Sequence, residues 1–118
     1  MDEARKHTRH DVLIAAEAEV AGKMIPVTII EISLEGLRLQ SKKFFAPNSI
    51  LPVVIVIGRK VIFNGWVIWV LDSFLPDGNF YHSGIEIDSI VDAASGMVSI
   101  HERAALIEEI IDIARRNK

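Results

Sequence analysis

Cysteine is absent from the 118 residues, and this absence excludes several kinds of chemistry at once. Disulfide frameworks, thiolate zinc sites and catalytic thiols all require cysteine. The glycine-rich phosphate loops and the G-x-S-x-G turn of serine hydrolases are missing as well. No nucleophile, general base or metal-ligand set converges along the chain. The sequence therefore predicts a protein that is not an enzyme and has no resident cofactor.

An excess of positive charge and long apolar runs are also lacking. The chain has 13 Lys and Arg against 16 Asp and Glu, a formal net charge of −3. Duplex nucleic acid is bound by basic faces, so no nucleic-acid partner is expected. Apolar stretches such as VVIVI at 53–57 are far shorter than the ~20 residues of a membrane span, and MDEARKHTRH at 1–10 has no signal-peptide core. We expect a cytoplasmic protein that does not insert into a membrane.

The chain divides into a short N-terminal segment and one domain. Residues 1–11 are polar and locally basic, and too few apolar residues are present to anchor them, so we expect a flexible ligand-binding segment. Residues 12–118 have enough apolar side chains for one core. Short apolar runs with period two fill 12–90, and a turn such as LPDGN at 75–79 separates them. This pattern predicts an all-β domain, a small antiparallel barrel.

Glycine and tryptophan in VIFNGWVIWVL give two more detailed expectations. Gly65 inside this run predicts a bulge or a sharp bend, as barrel corners require. Trp66 and Trp69 are three apart on a strand, so we expect their side chains on opposite faces and at least one of them in the core.

The last part of the chain, from about 92 to 118, changes to the period of a helix. Apolar residues recur there at spacings of three and four: Met97, Ile100, Ala104, Ile107, Ile111 and Ala114. Ser99 and Glu102 fit a capping box, although Asp92 is an earlier candidate for the helix start. We expect this helix to cover an open part of the barrel. A homodimer through its wide apolar face is the alternative that the pattern leaves open.

A basic stretch, RKHTR at 5–9, is the first candidate for a binding function. Taken alone, such a charge run is typical of a solvated leader. However, Arg5 and Arg9 lie on a segment that nothing apolar holds in place. Two guanidinium groups on a mobile segment can close over a phosphate ligand through bidentate hydrogen bonds.

A polar interruption, EISLEG at 31–36, is the second candidate. Glu31 and Ser33 are two residues apart, so on a strand their side chains share one face. On that face they can meet the hydrogen-bond donor edge of a purine. Gly36 lets the chain turn sharply with no side chain in the way.

Together these stretches resemble the ligand motifs of the PilZ family, the bacterial receptors for cyclic di-GMP. The family pattern is R-x-x-x-R before the first strand and D/N-x-S-x-x-G after the second. RKHTR matches the first motif, and EISLEG matches the second at Ser33 and Gly36 but has Glu31 where Asp or Asn is usual. NGWVIWV at 64–70 and HSGIEI at 82–87 resemble later strands of the family.

The resemblance implies a six-stranded antiparallel β-barrel with a C-terminal helix, acting as a non-enzymatic receptor. Arg5 and Arg9 would take the phosphates and the Hoogsteen edge of guanine, Ser33 and Gly36 would line the pocket, and Glu31 would replace the usual Asp or Asn. Binding of cyclic di-GMP would alter a contact with an unidentified protein partner, in motility or biofilm regulation. The alternative is a degenerate adaptor that does not bind the nucleotide and acts through protein docking.

Overall fold

The computed structural model describes residues 8–75 and 78–116, which form seven strands and one helix. In chain order these are β1 (His10–Val20), β2 (Lys23–Ile32), β3 (Gly36–Ser41), β4 (Val53–Val56), β5 (Lys60–Leu75), β6 (Gly78–Asp92), β7 (Gly96–Met97) and α1 (Ile100–Arg116). β1 begins two residues before the expected domain boundary at residue 12. The expected flexibility of the N-terminal segment stays a prediction, because residues 1–7 lie outside the described residues.

Six strands close into an antiparallel barrel in the order β1-β2-β3-β6-β5-β4, which confirms the predicted fold class. The short strand β7 pairs only with the end of β6. Side chains alternate between the interior and the outside of the barrel. On β1, the buried side chains are Val12, Ile14, Ala16 and Ala18. The seam between β1 and β4 is short, because only Glu17–Val54 and Ala18–Val53 are paired there.

The predicted bulge at Gly65 is confirmed as an irregularity between β5 and β6. The register shifts between Asn64 and Gly65, and the extra residue is Asp88 in the opposite strand. The two backbones approach closely at this point, since a Cβ atom on Gly65 would overlap the carbonyl group of Glu86. Any larger residue at position 65 would clash with the opposite strand, so glycine is required here.

A second irregularity places both tryptophans on the outside of the barrel. The register of β5 shifts between Val67 and Trp69, which makes Ile68 an extra residue, a β-bulge. One extra residue reverses the face to which the following side chains point. Trp66 and Trp69 therefore both point outwards, and neither belongs to the buried core. The prediction of opposite faces is wrong because it assumed uninterrupted alternation across Ile68.

Helix α1 begins at Ile100, eight residues later than the expected start near residue 92. Asp92 instead organises a turn, where its carboxylate accepts hydrogen bonds from the backbone N–H groups of Ala94 (2.8 Å) and Ser95 (3.4 Å). Strand β7 follows this turn. The start near 92 was thus wrong because a capping-type side chain serves a turn equally well.

The capping box at the true helix start is confirmed. The Ser99 N–H donates to the Glu102 carboxylate (3.0 Å), and the Glu102 N–H donates to Ser99 Oγ (3.2 Å). Two hydrogen bonds from Ser99 hold the pKa of Glu102 below its ordinary value. The bond from the Ser99 backbone has the larger effect, and the bond from its side chain the smaller one. A carboxylate with a lowered pKa stabilises the fold above its unfolded-state pKa, and this contribution is lost as the pH falls through the folded-state pKa.

Packing of α1 against the barrel confirms the expected cover. Its buried residues join the single core and are Leu106, Ile107, Ile110 and Ile111. Arg59, directly before β5, also ties the helix down through a hydrogen-bonded ion pair with Glu109 (2.7 Å). The same guanidinium forms an ion pair with Asp92 at the end of β6 (3.2 Å). Among the described residues, no helix has the length and apolar content needed to cross a bilayer.

Candidate ligand-binding cleft

An open cleft of about 460 Å³ lies on the outer face of the barrel, where β2, β3, β5 and β6 meet the first turns of α1. The structure brings four of the five predicted site residues to this cleft: Arg9, Glu31, Ser33 and Gly36. The fifth, Arg5, lies outside the described residues. Polar residues that are distant in sequence, such as 9, 31 and 103, therefore converge on one surface depression.

Ser33 shapes the loop between β2 and β3. Its backbone N–H donates to the Gly36 carbonyl (3.0 Å), its hydroxyl donates to the same oxygen (3.3 Å), and the Gly36 N–H donates to Ser33 Oγ (3.2 Å). Only 8% of Ser33 is exposed. The hydroxyl therefore fixes the form of the loop that borders the cleft.

Gly36 is required by the close approach of two strands. An added Cβ atom would lie 2.7 Å from the Ile85 carbonyl oxygen, which is shorter than real Cβ contacts. Gly36 has no positive φ, so the sharp turn that the sequence indicated does not explain the glycine. The absence of a side chain instead lets β3 lie against β6 at the floor of the cleft.

Glu31 and Arg9 already interact across the rim of the cleft. Arg9 Nη1 lies 3.9 Å from Glu31 Oε1, and the two side chains are 70% and 22% exposed. A pair this long and this exposed is worth about 0.2–1 kcal/mol. The carboxylate of Glu31 thus has a weak partner that a ligand can displace.

Trp69 also lines the cleft, and sequence reasoning missed it. Trp69 covers Gly84 so closely that a Cβ atom there would overlap the indole ring. The Arg38 guanidinium carbon stands 5.1 Å from the ring centroid, within the range of a cation–π interaction. The tryptophan was visible in the sequence, but only the bulge at Ile68 turns it towards the cleft.

Arg103 reaches the cleft from α1 and was also missed. Its Nη1 donates to the Leu34 carbonyl (3.3 Å) in the β2–β3 loop, and its Nη2 donates to the Asp88 carbonyl (3.4 Å). The Asp88 carbonyl belongs to the extra residue of the β6 bulge. No short-range pattern could have indicated this contact, since it joins residues far apart in the sequence.

The charges of the cleft are mixed. Its ionisable side chains are three arginines and three glutamates: Arg9, Arg38, Arg103, Glu31, Glu35 and Glu86. Guanidinium groups donate hydrogen bonds to anions, whereas carboxylates accept them from N–H groups. The cleft therefore suits a ligand that has both anionic oxygens and N–H donors. In residues 8–75 and 78–116, no group of three or more His, Cys, Asp or Glu is placed to hold a metal ion.

The chain thus forms a small, closed antiparallel barrel with a mixed-charge cleft at its β2–β3 loop. The family model of the PilZ domain matches residues 3–93, so the chain belongs to the PilZ domain family. The fold is also similar to that of the PilZ domain of YcgR from Escherichia coli, solved with c-di-GMP, at a TM-score of 0.70 and 13% identity. That alignment covers 98% of this chain and 94% of the other. A search of curated proteins found no match.

Proposed function

We propose that the protein is a cytoplasmic, non-enzymatic receptor that binds cyclic di-GMP and signals through an altered contact with a protein partner. The observation that carries the proposal is the convergence of Arg9, Glu31, Ser33 and Gly36 on one cleft. These residues come from the two motifs that distinguish nucleotide-binding members of the family. Membership in the PilZ family and the likeness to a domain solved with c-di-GMP support the same ligand.

The chemistry of cyclic di-GMP matches the groups in the cleft. Its two phosphates are anionic acceptors for Arg9 and, from the N-terminal segment, for Arg5. The N–H groups of guanine are donors for the Glu31 carboxylate. Trp69 supplies an aromatic ring and Arg38, whose guanidinium lies over that ring, supplies a flat cation, so a base can stack at this part of the cleft. When the arginine segment folds over the ligand, the surface around the cleft changes, and a partner protein can respond to this change.

The first prediction is that Arg9→Ala lowers the affinity for cyclic di-GMP by tenfold to a hundredfold. Loss of a charged hydrogen-bond partner costs about 1.5–3 kcal/mol, which corresponds to this change in Kd. Isothermal titration at one salt concentration measures it, with Arg5→Ala as a companion variant. Arg115→Ala is the matched control, because Arg115 is exposed on the last turn of α1 and does not line the cleft. Unchanged affinity in both Arg5→Ala and Arg9→Ala would remove the arginine clamp from the proposal.

The second prediction concerns the unusual glutamate: Glu31→Asp binds at least as tightly as the natural protein, and Glu31→Ala binds more weakly than either. Removal of Glu31 frees Arg9 from an exposed pair worth only about 0.2–1 kcal/mol. It also removes a charged acceptor for guanine, worth about 1.5–3 kcal/mol, so the loss outweighs the gain. Aspartate keeps the acceptor and has one rotatable bond fewer to order. If Glu31→Ala binds as well as Glu31→Asp, the carboxylate makes no useful contact with the ligand.

The second candidate function is a PilZ adaptor that does not bind the nucleotide and acts by docking to a protein. Glu31 stands where the family usually has Asp or Asn, and it is already paired with Arg9. This pairing favours the alternative, because it occupies a carboxylate and a guanidinium that the ligand would need. The titration separates the two functions: no heat from the natural protein at millimolar cyclic di-GMP would favour the adaptor.

The homodimer through α1 stays a prediction, with less apolar surface than the sequence indicated. The central apolar residues of the helix are buried against the barrel. What remains is an apolar groove of about 690 Å³ beside the last turns of α1, bordered by Leu13, Val56, Ile113 and Ala114.

A further inference from the structure

Arg103 is the only contribution of α1 to the lining of the cleft. Its two hydrogen bonds, to the carbonyls of Leu34 (3.3 Å) and Asp88 (3.4 Å), both exceed the usual range of N–H···O distances. The remaining nitrogen of the side chain, Nε, is buried, and its N–H has no hydrogen-bond partner in the described part of the chain. The guanidinium is therefore held in place but only partly satisfied.

Buried donors without an acceptor are unfavourable, and native proteins contain few of them. Within residues 8–75 and 78–116, the buried side-chain nitrogens in this condition are Nε of Arg38 and Nε of Arg103. Both arginines line the same cleft, although they come from β3 and from α1. Two incompletely satisfied guanidinium groups at one depression indicate that a hydrogen-bond acceptor belongs between the strands and the helix.

We infer that Arg103 binds a phosphate oxygen of the ligand and so makes the C-terminal helix a part of the cyclic di-GMP site. This inference rests on the proposed function. Nε–H and one Nη–H of a guanidinium form a fork that matches two oxygens of a phosphate. The other terminal nitrogen, Nη1, keeps its hydrogen bond to the carbonyl of Leu34, which is next to Ser33 in the β2–β3 loop. One side chain then joins the ligand, the loop and the helix.

A consequence of this arrangement is that ligand binding stabilises the docking of α1. A ligand that contacts only the docked helix lowers the population of states in which the helix has opened. Backbone amides of α1 should therefore exchange with solvent more slowly when cyclic di-GMP is bound.

The test compares Arg103→Gln, Arg103→Lys and the natural protein by isothermal titration with cyclic di-GMP. Arg103→Gln is expected to bind tenfold to a hundredfold more weakly, because the charged fork is lost. Arg103→Lys keeps the charge without the fork and should fall between the two. Arg115→Gln makes the same charge change on an exposed site of the same helix and should bind like the natural protein. Thermal unfolding without ligand verifies that each variant is folded.

Hydrogen exchange separates a ligand contact from a merely structural role. In the natural protein and in Arg115→Gln, saturating cyclic di-GMP should slow exchange in α1, and in Arg103→Gln this slowing should disappear. If natural affinity and natural slowing persist in Arg103→Gln, the inference is overturned and the receptor function stands. If the natural protein does not bind cyclic di-GMP, both the receptor function and the inference are overturned.

Discussion

Gly36→Val is expected to weaken cyclic di-GMP binding by about a hundredfold, because it would displace the Arg38 guanidinium, a charged hydrogen-bond donor worth about tenfold to a hundredfold, together with the loop that Ser33 shapes. The nearest obstacle to the new side chain is backbone: a Cβ atom would lie 2.7 Å from the Ile85 carbonyl oxygen. A flexible side chain could move aside, but a paired strand cannot do so without shifting its neighbours. β3 must therefore separate from β6, and this moves Ser33 and Arg38, which both line the cleft.

Stability should fall in the same variant by about 1–3 kcal/mol, the usual range for overpacking. Gly22→Ala is the control that separates the two effects. Gly22 has a φ of +80° in the β1–β2 turn, and an added Cβ atom would meet nothing within 4 Å. Alanine there strains the backbone far from the cleft, so stability falls while affinity stays. Titration and urea unfolding of both variants measure the pair of effects. Natural affinity in folded Gly36→Val would show that the close approach of β3 and β6 is irrelevant to binding.

Ile110→Ala is expected to lower the free energy of unfolding by about 2–5 kcal/mol, the range for large-to-small changes in a core. Ile110 is 0% exposed and lies where α1 enters the core of the barrel. Alanine would leave a cavity beneath the helix, since the strands around it are fixed by their ladders. Such a loss is a large part of the ~5–15 kcal/mol that stabilises a typical domain.

Ile100→Ala is the matched control on the same helix. Ile100 is 80% exposed at the first turn, so its replacement should change the free energy of unfolding by less than about 0.5 kcal/mol. Denaturant titrations of the two variants give the comparison directly. Equal effects would mean that α1 does not contribute to the core, and that the helix lies on the barrel without sealing it.

The barrel could be predicted from the sequence because its signal is local. Alternation along β1 and the glycine at residue 65 fix strands and a bend without knowledge of any partner strand. The capping box of Ser99 and Glu102 is local too, and it marks the true helix start. Asp92 misled for the same reason, because a carboxylate that caps a turn and one that caps a helix look alike in sequence.

The positions of Trp69 and Arg103 in the cleft could not be predicted, since they depend on the strand register and on the closure of the barrel. The bulge at Ile68 carries no glycine or other signature, yet it alone turns Trp69 outwards. Arg103 lies beside Leu34 only after the barrel has closed and the helix has docked. The two motifs therefore identified four described residues of the cleft, whereas Trp69 and Arg103 required the three-dimensional structure.

The short seam between β1 and β4 has a consequence for how a signal can cross the molecule. Where the pairing of these two strands ends, the last turns of α1 border the gap through Ile113 and Ala114. The first turns of the same helix border the cleft through Arg103, about 15 Å away at 1.5 Å per residue. The helix is continuous from Ile100 to Arg116, so a rigid-body displacement of it at the cleft would be accompanied by one at the seam. A single secondary-structure element thus borders both the cleft and the least-paired part of the barrel wall.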